Sequence, residues 1–191
     1  MKRFFLFDVE TGGLEEKEVS LLTLYGMVLN EKLEELDVID LKIRPPNGRY
    51  VVDIDALRVN KIDLLKHDAE AIPELEAQQK LRDFLLLNCP TNSKLIPSGH
   101  NINLDVRFAQ KLVPDWKAFC GHRWLDTSVL GQTLQLLGKI PNDNNGSLAK
   151  LCLHYGINPS GNHDAKVDVE LTYALLKVML KDLGGMKPAV P

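Results

Sequence analysis

The sequence has few cysteines and no long apolar run, and both absences exclude whole classes of protein. Its three cysteines lie far apart without a CxxC pair, which excludes a disulfide framework and a zinc ribbon. No apolar stretch approaches the roughly 18 residues of a membrane span. The apolar run Phe4–Phe7 resembles the start of a signal peptide, but Asp8 and Glu10 end it too early. We therefore expect a cytoplasmic protein with reduced thiols and no membrane partner.

The sequence also lacks an excess of basic residues. Its 23 Lys+Arg residues are opposed by 26 Asp+Glu residues, for a formal net charge of −3. A protein that coats DNA regardless of its sequence normally carries a basic surface. Charge alone therefore argues against nucleic acid as a partner.

The length and composition fit one globular domain. The 191 residues are 45% hydrophobic and 26% charged, which is close to the average for soluble proteins and excludes extensive disorder. There is no internal repeat and no low-complexity block. We expect a single domain over residues 1–183, followed by a flexible tail at 184–191 that has no apolar periodicity.

Alternating β-rich and helical segments predict an α/β domain with a mixed sheet. The polar residues 30–32 predict a hairpin between the second and third of five expected strands, which are Phe4–Val9, Leu21–Leu29, Leu36–Ile43, Leu95–Pro97 and Trp124–Leu125. Pro73 is expected to open a helix, since proline suits the first helical turn. That helix would carry an apolar stripe of Leu75, Leu81, Phe84 and Leu85. The other expected helices are Asp55–Asn60, Leu104–Leu112, Thr127–Leu137, Ser147–Tyr155 and Asp164–Leu183.

Two acids stand at the end of the first predicted strand. Because Asp8 and Glu10 are two residues apart, their side chains leave the same face of the strand. Adjacent carboxylates repel each other and are costly to desolvate, and a divalent cation relieves both penalties. The alternative is that the strand simply reaches solvent at this point.

Two further acids share the apolar stripes of predicted helices. Asp105 precedes Phe108, Ala109 and Leu112 on one face, although an acid in a first helical turn also interacts well with the helix dipole. Asp168 shares its face with Leu171 and Leu175, and its alternative is an exposed position at the margin of the stripe.

His163 lies five residues before Asp168. In one continuous helix the two side chains would point about 140° apart, so they converge only if His163 lies in the preceding loop. Imidazole titrates near neutral pH and can accept a proton from water. Together with the four acids, this histidine predicts a two-metal site for phosphoryl transfer.

These residues also carry a family resemblance. Three segments resemble the motifs of the DEDDh (DnaQ-like) 3′–5′ exonucleases, a family that includes the proofreading epsilon subunit of bacterial DNA polymerase III, RNase T and oligoribonuclease. The segments occur in the family's order and are Phe7–Leu14, Gly99–Asp105 and His163–Asp168. The ordered set is far more specific than any one of its motifs.

The resemblance implies a ribonuclease H-like fold with a five-stranded mixed sheet flanked by helices. It implies that four acids hold two Mg²⁺ or Mn²⁺ ions, with Asp8 bridging them, and that His163 is the general base; the acids are Asp8, Glu10, Asp105 and Asp168. It further implies that Thr11 and Gly12 lie against the 3′-terminal nucleotide and that Leu14 wedges beside its base. For Gly12 an ordinary turn is the alternative, and for Leu14 a place in the core.

The expected function is release of nucleoside monophosphates from the 3′ end of a single strand, in proofreading, trimming or DNA repair. DNA and RNA stay open as substrates, and a DNA polymerase or a second copy of the chain is a possible protein partner by family analogy. The alternatives are a catalytically silent module that binds strand ends or a polymerase, and an endonuclease of the same fold.

Asp126 is expected to cap a helix, while Arg107 and Lys111 are candidates to flank the path of a nucleic-acid strand.

Overall fold

A computed structural model describes residues 2–161 and 163–184. Six strands form one mixed sheet in the order β4-β3-β2-β1-β5-β6, and they are β1 (Phe4–Thr11), β2 (Leu21–Leu29), β3 (Glu35–Arg44), β4 (Ile72–Pro73), β5 (Ile96–Gly99) and β6 (Leu125–Asp126). The α-helices of this part of the chain are α1 (Ile54–Asn60), α2 (Leu64–Glu70), α3 (Glu74–Asn88), α4 (Asn103–Leu112), α5 (Trp116–Phe119), α6 (Thr127–Leu136), α7 (Leu148–His154) and α8 (Ala165–Asp182). The predicted α/β class is confirmed.

The sheet has one strand more than predicted. Ile72 and Pro73 form β4, which pairs in parallel with Ile43 and Arg44 at the carboxyl end of β3. Two residues are too few to show the alternation by which a strand is recognised, and Pro73 also precedes α3 as its N-cap. The short helices α2 and α5 were also not predicted as separate elements.

One residue of the predicted α3 stripe is in the wrong place. Leu81, Phe84 and Leu85 are buried as expected, whereas Leu75 is 79% exposed. Six residues separate Leu75 from Leu81, which is a rotation of about 240° on an α-helix, so the two cannot share a face.

The central strand β1 packs its two faces against different helices. Phe5 and Phe7 stack with ring centroids 4.7 Å apart and pack, with Val9, in the core that contains α3 and α4. Leu6 points the other way, into a second core with Val169 of α8. Because side chains alternate along a strand, the positions two and four residues after Leu6 also face α8.

A third core packs α8 against α6 and α7. Leu134 of α6 and Leu151 of α7 pack against Leu175 on the far side of α8. Helix α8 is therefore held between the sheet and the α6–α7 pair, and its first turn is fixed beside the end of β1.

A cleft opens where β1 and β5 separate. Their parallel pairing runs from Phe4↔Ile96 to Leu6↔Ser98, and β1 continues beyond that point paired only with β2 in the described sheet. Ligands of open α/β sheets bind outside the carboxyl ends of such strands.

Several other expectations concern the chain as a whole. All three cysteines are free in the structure. In residues 2–161 and 163–184, no helix has the length and apolar character needed to cross a membrane. The division into a domain at 1–183 and a tail stays a prediction, since residues 185–191 lie outside the described residues.

Candidate active site

Three acids converge in the cleft at the end of β1. One carboxylate oxygen from each of Asp8, Glu10 and Asp168 can be chosen so that all three lie within 4.8 Å of one another. The cleft has a volume of about 760 Å³ and is also lined by Asp105 and His163. The structure thus brings together five residues that the sequence singled out from three separate segments.

Burial and mutual repulsion make these carboxylates hard to ionise. Burial raises the pKa of Asp8 well above its usual range, and the charges of Asp105, Glu10 and Asp168 raise it further. Burial, followed by repulsion from Asp168, raises the pKa of Glu10 to about 8. A cluster of this kind is stabilised by positive charge.

Asp168 has one oxygen engaged and one oxygen free. Its Oδ2 accepts a hydrogen bond of 3.1 Å from the backbone N–H of His163. Its Oδ1 is buried and has no hydrogen-bond partner in the described part of the chain. Burial raises the pKa of Asp168, and the bond from His163 opposes that rise. A buried oxygen without a donor suits a metal ion.

His163 lies in the loop before α8, as its spacing from Asp168 required. Asp164 is the N-cap of α8, and its side chain accepts hydrogen bonds from the backbone N–H groups of Lys166 and Val167. His163 has a backbone φ of +70°, a left-handed conformation that is costly for a residue other than glycine. This conformation directs the His163 N–H to Asp168 instead of into a helical turn.

Asp105 joins the cluster from the other side of β1. Its Oδ1 accepts a hydrogen bond of 3.0 Å from the backbone N–H of Val9, between the two acids of the strand. That N–H is available because β5 has already separated from β1. Burial raises the pKa of Asp105 to about 7, although this hydrogen bond opposes the rise. Asp105 is outside the group of three described acids that meet within 4.8 Å.

The segment before α4 is held by Asp126, whose role exceeds the predicted helix cap. Its side chain caps α6 through the N–H of Ser128 at 2.8 Å. The same carboxylate accepts hydrogen bonds from the N–H groups of Asn101 at 2.9 Å and Ile102 at 3.2 Å. Nothing in the sequence relates residues that lie about 25 positions apart, so this second role was not predictable from spacing.

The cleft is also lined by neutral polar side chains that sequence reasoning missed. Gln132 comes from α6, and Asn145 and Ser147 come from the segment between α6 and α7. Isolated amides and hydroxyls carry no recognisable spacing, and only the fold brings them to the cleft.

The three predicted substrate-binding residues differ in their surroundings. Thr11 and Gly12 are buried; the Thr11 hydroxyl donates to the carbonyl of Gly13, and a Cβ on Gly12 would lie 2.3 Å from the carbonyl oxygen of Val51. Gly12 is therefore required by internal packing. Leu14 is 69% exposed, which excludes its alternative place in the core.

The architecture is known from solved structures. It is shared with exonuclease I. A structure of exonuclease I superposes with a TM-score of 0.79 at 18% identity, covering 95% of this chain and 41% of that one. The zinc-bound form of E. coli exonuclease I with single-stranded DNA gives 0.79 at 19% identity, covering 96% and 41%. A complex of exonuclease I with SSB-Ct gives 0.76 at 16% identity, covering 95% and 41%.

This likeness confirms the ribonuclease H-like α/β fold, and at such low identity it shows the fold alone. The chain spans about two fifths of the length of these exonuclease I chains. No protein-family model matches the sequence, and no curated protein matches it.

Proposed function

We propose that this protein is a metal-dependent 3′–5′ exonuclease that releases nucleoside 5′-monophosphates from the end of a single strand. The observation that carries this proposal is the convergence of Asp8, Glu10 and Asp168 in one cleft beside His163. A fold in common with exonuclease I, which has been crystallised with single-stranded DNA, supports the same activity and favours DNA over RNA.

The residues in the cleft fit divalent cations. Every side chain in the acidic group offers oxygen, the ligand that Mg²⁺ and Mn²⁺ prefer, and one buried oxygen of Asp168 has no other partner in the described chain. Asp8, Glu10 and Asp168 would hold two Mg²⁺ ions together with Asp105, which lines the same cleft. Two bound divalent ions stabilise the attacking and the leaving oxygen of a phosphodiester.

The chain's own residues supply the proton transfer. In the proposed reaction, an imidazole nitrogen of His163 accepts a proton from water as the water oxygen attacks the terminal phosphodiester phosphorus. The bond from that phosphorus to the 3′ oxygen of the preceding nucleotide breaks, which leaves the phosphate on the released nucleoside, and the 3′ oxygen takes a proton from solvent to become a hydroxyl. The bond from the His163 N–H to Asp168 fixes the loop, so the imidazole stays beside the acids.

Leu14, Thr11 and Gly12 are proposed to receive the terminal nucleotide. Leu14 is the exposed member of this group and can pack against a base. Thr11 and Gly12 would contribute through the shape of the backbone, since both are already packed within the chain.

The substrate is tested with matched linear single-stranded DNA, duplex DNA and RNA, each labelled at the 5′ end and incubated with Mg²⁺ or with a chelator. We expect single-stranded DNA to shorten by one nucleotide at a time with Mg²⁺, and no cleavage with chelator. A circular single strand should stay intact. Cleavage of the circle would identify an endonuclease, and binding without cleavage of any substrate would identify a silent module.

A further inference from the structure

The loop that carries Leu14 joins β1 to β2, and we call residues 12–20 the Leu14 loop. It is closed at its base by a hydrogen bond of 2.8 Å from the Gly12 N–H to the Ser20 carbonyl. Leu14 lies near its tip with 69% of its surface exposed. Because the Leu14 side chain is exposed, it contributes no hydrophobic burial energy to the loop. Other contacts must therefore hold the loop in place.

Arg107 of α4 holds this loop by two hydrogen bonds. Its Nη1 donates to Glu16 Oε2 at 2.9 Å, and its Nη2 donates to the backbone carbonyl of Leu14 at 3.3 Å. Its Nε is buried and has no partner among the described residues, so the guanidinium is inserted between helix and loop. One helical turn later, Lys111 Nζ donates to the carbonyl of Val19 at 3.4 Å.

The helix that holds the loop also holds a proposed metal ligand. Asp105 lies two residues before Arg107 on α4 and is bonded to β1 through the N–H of Val9. Helix α4 therefore contacts the acidic cluster through Asp105 and the Leu14 loop through Arg107. Loss of the Arg107 side chain would release Leu14 while Asp105 keeps its bond to Val9.

We propose that Arg107 is a positioning residue that fixes Leu14 for contact with the terminal base, and that Glu16 orients it. The inference deepens the proposed function and rests on it. Arg107 acts through Leu14 and touches no substrate. Its planar guanidinium is needed because one group must reach a carboxylate and a carbonyl at once, which the single ammonium of lysine does poorly.

The rival role for Arg107 is direct contact with a phosphate of the strand. The two roles predict opposite effects for Glu16→Gln. If Glu16 orients Arg107, removing its charge loosens the loop and weakens binding of the strand. If Arg107 binds a phosphate, removing the competing carboxylate of Glu16 strengthens binding.

The test measures the Kd of a fluorescent single-stranded oligonucleotide in Ca²⁺ by anisotropy, so that cleavage is not required. We expect Arg107→Ala and Leu14→Ala each to weaken binding by about tenfold, as for loss of one apolar contact. The double variant should be no weaker than Leu14→Ala alone, because Arg107 acts through Leu14. Arg107→Lys should restore part of the affinity, and Glu16→Gln should lower it.

The matched control is Arg82→Ala. Arg82 also forms an ion pair, at 2.8 Å to Asp115, and its side chain is 42% exposed against 40% for Arg107, but it lies on α3 away from the acids. Its loss should leave the Kd unchanged. In Arg107→Ala, amide hydrogen exchange should rise in residues 13–19 and stay constant in α8.

Several results would overturn the inference. Additive losses in the double variant, tighter binding by Glu16→Gln, or unchanged exchange in the Leu14 loop would each contradict it. So would a drop of about 0.7 in the slope of log K against log salt for Arg107→Ala, which indicates a lost phosphate contact. Failure of the proposed function is distinguishable, since the unaltered protein would then either bind no oligonucleotide or bind it in Ca²⁺ and cleave none in Mg²⁺.

Discussion

At the scale of single residues, burial raises the pKa of each acid of the cleft, and repulsion from the neighbouring acids adds to the rise. Asp8 and Glu10 lie on the same face of β1 as Leu6, which packs against α8. Positions on a face that packs against a helix are usually apolar. The resulting rise in pKa has a measurable consequence for folding, because the unfolded chain exposes the same carboxyls to water.

Stability without divalent ions should fall as pH rises. Glu10 keeps its proton up to about pH 8 in the folded protein, against 4.5 as its ordinary pKa, so between these values the folded state binds more protons than the unfolded state. The free energy of unfolding should therefore decrease across this range in chelator, and thermal unfolding measures it. Glu10→Gln should flatten the dependence.

Added Mn²⁺ should have the opposite pH dependence. A cation binds the deprotonated carboxylates, so the rise in Tm that it causes should grow from pH 5 to pH 8. A rise in Tm that is constant or shrinks over this range would contradict the assignment of the acids as metal ligands.

His163→Ala should lower kcat by about 10²–10⁴-fold, the usual contribution of a positioned general base. Its carboxylate neighbours are unchanged, so Mn²⁺ should still bind, as calorimetry can show. Undiminished turnover would remove His163 from the role of base.

At the scale of elements, the turn after β1 is fixed by close packing between backbones. A Cβ at Gly12 would lie 2.3 Å from the carbonyl oxygen of Val51 and 3.0 Å from the Cα of Val52. The Asp53 N–H also donates to the Gly12 carbonyl at 2.6 Å. The end of β1 is therefore tied to the segment that precedes α1.

Gly12→Ala should destabilise the protein by about 1–3 kcal/mol, as for other overpacked sites, because backbone atoms must move apart. Chemical unfolding measures the change. Gly121→Ala is the matched control, since its Cβ would meet nothing closer than 3.5 Å. Equal stability of the two variants would contradict the packing at Gly12.

The same elements show how far sequence reasoning reaches. The spacing of Asp8 and Glu10 predicted one shared face, and the expected start of a helix at Asp164 predicted a loop position for His163, because both depend on local geometry. The two-residue strand β4 and the hydrogen bond from the Ile102 N–H to Asp126 were not predicted, because each depends on chain segments that meet only in the folded protein.

At the scale of the whole molecule, the net charge of −3 has a different meaning from the one it suggested first. Four of the acids lie in or beside one cleft, and each divalent ion bound there would add two positive charges. The shortage of basic residues therefore does not exclude nucleic acid. Affinity for nucleic acid is expected to depend on the strand end and the bound ions, and not on a broad basic surface.

The most direct test of the account compares the unaltered protein with Asp8→Asn on one 5′-labelled single-stranded DNA in Mg²⁺. Asn keeps the shape of Asp8 and removes its charge, so the fold should persist while a proposed metal ligand is lost. We predict a ladder shortening one nucleotide at a time for the unaltered protein and an intact strand for Asp8→Asn. An intact strand with both proteins, or the same ladder with both, would contradict the proposed active site.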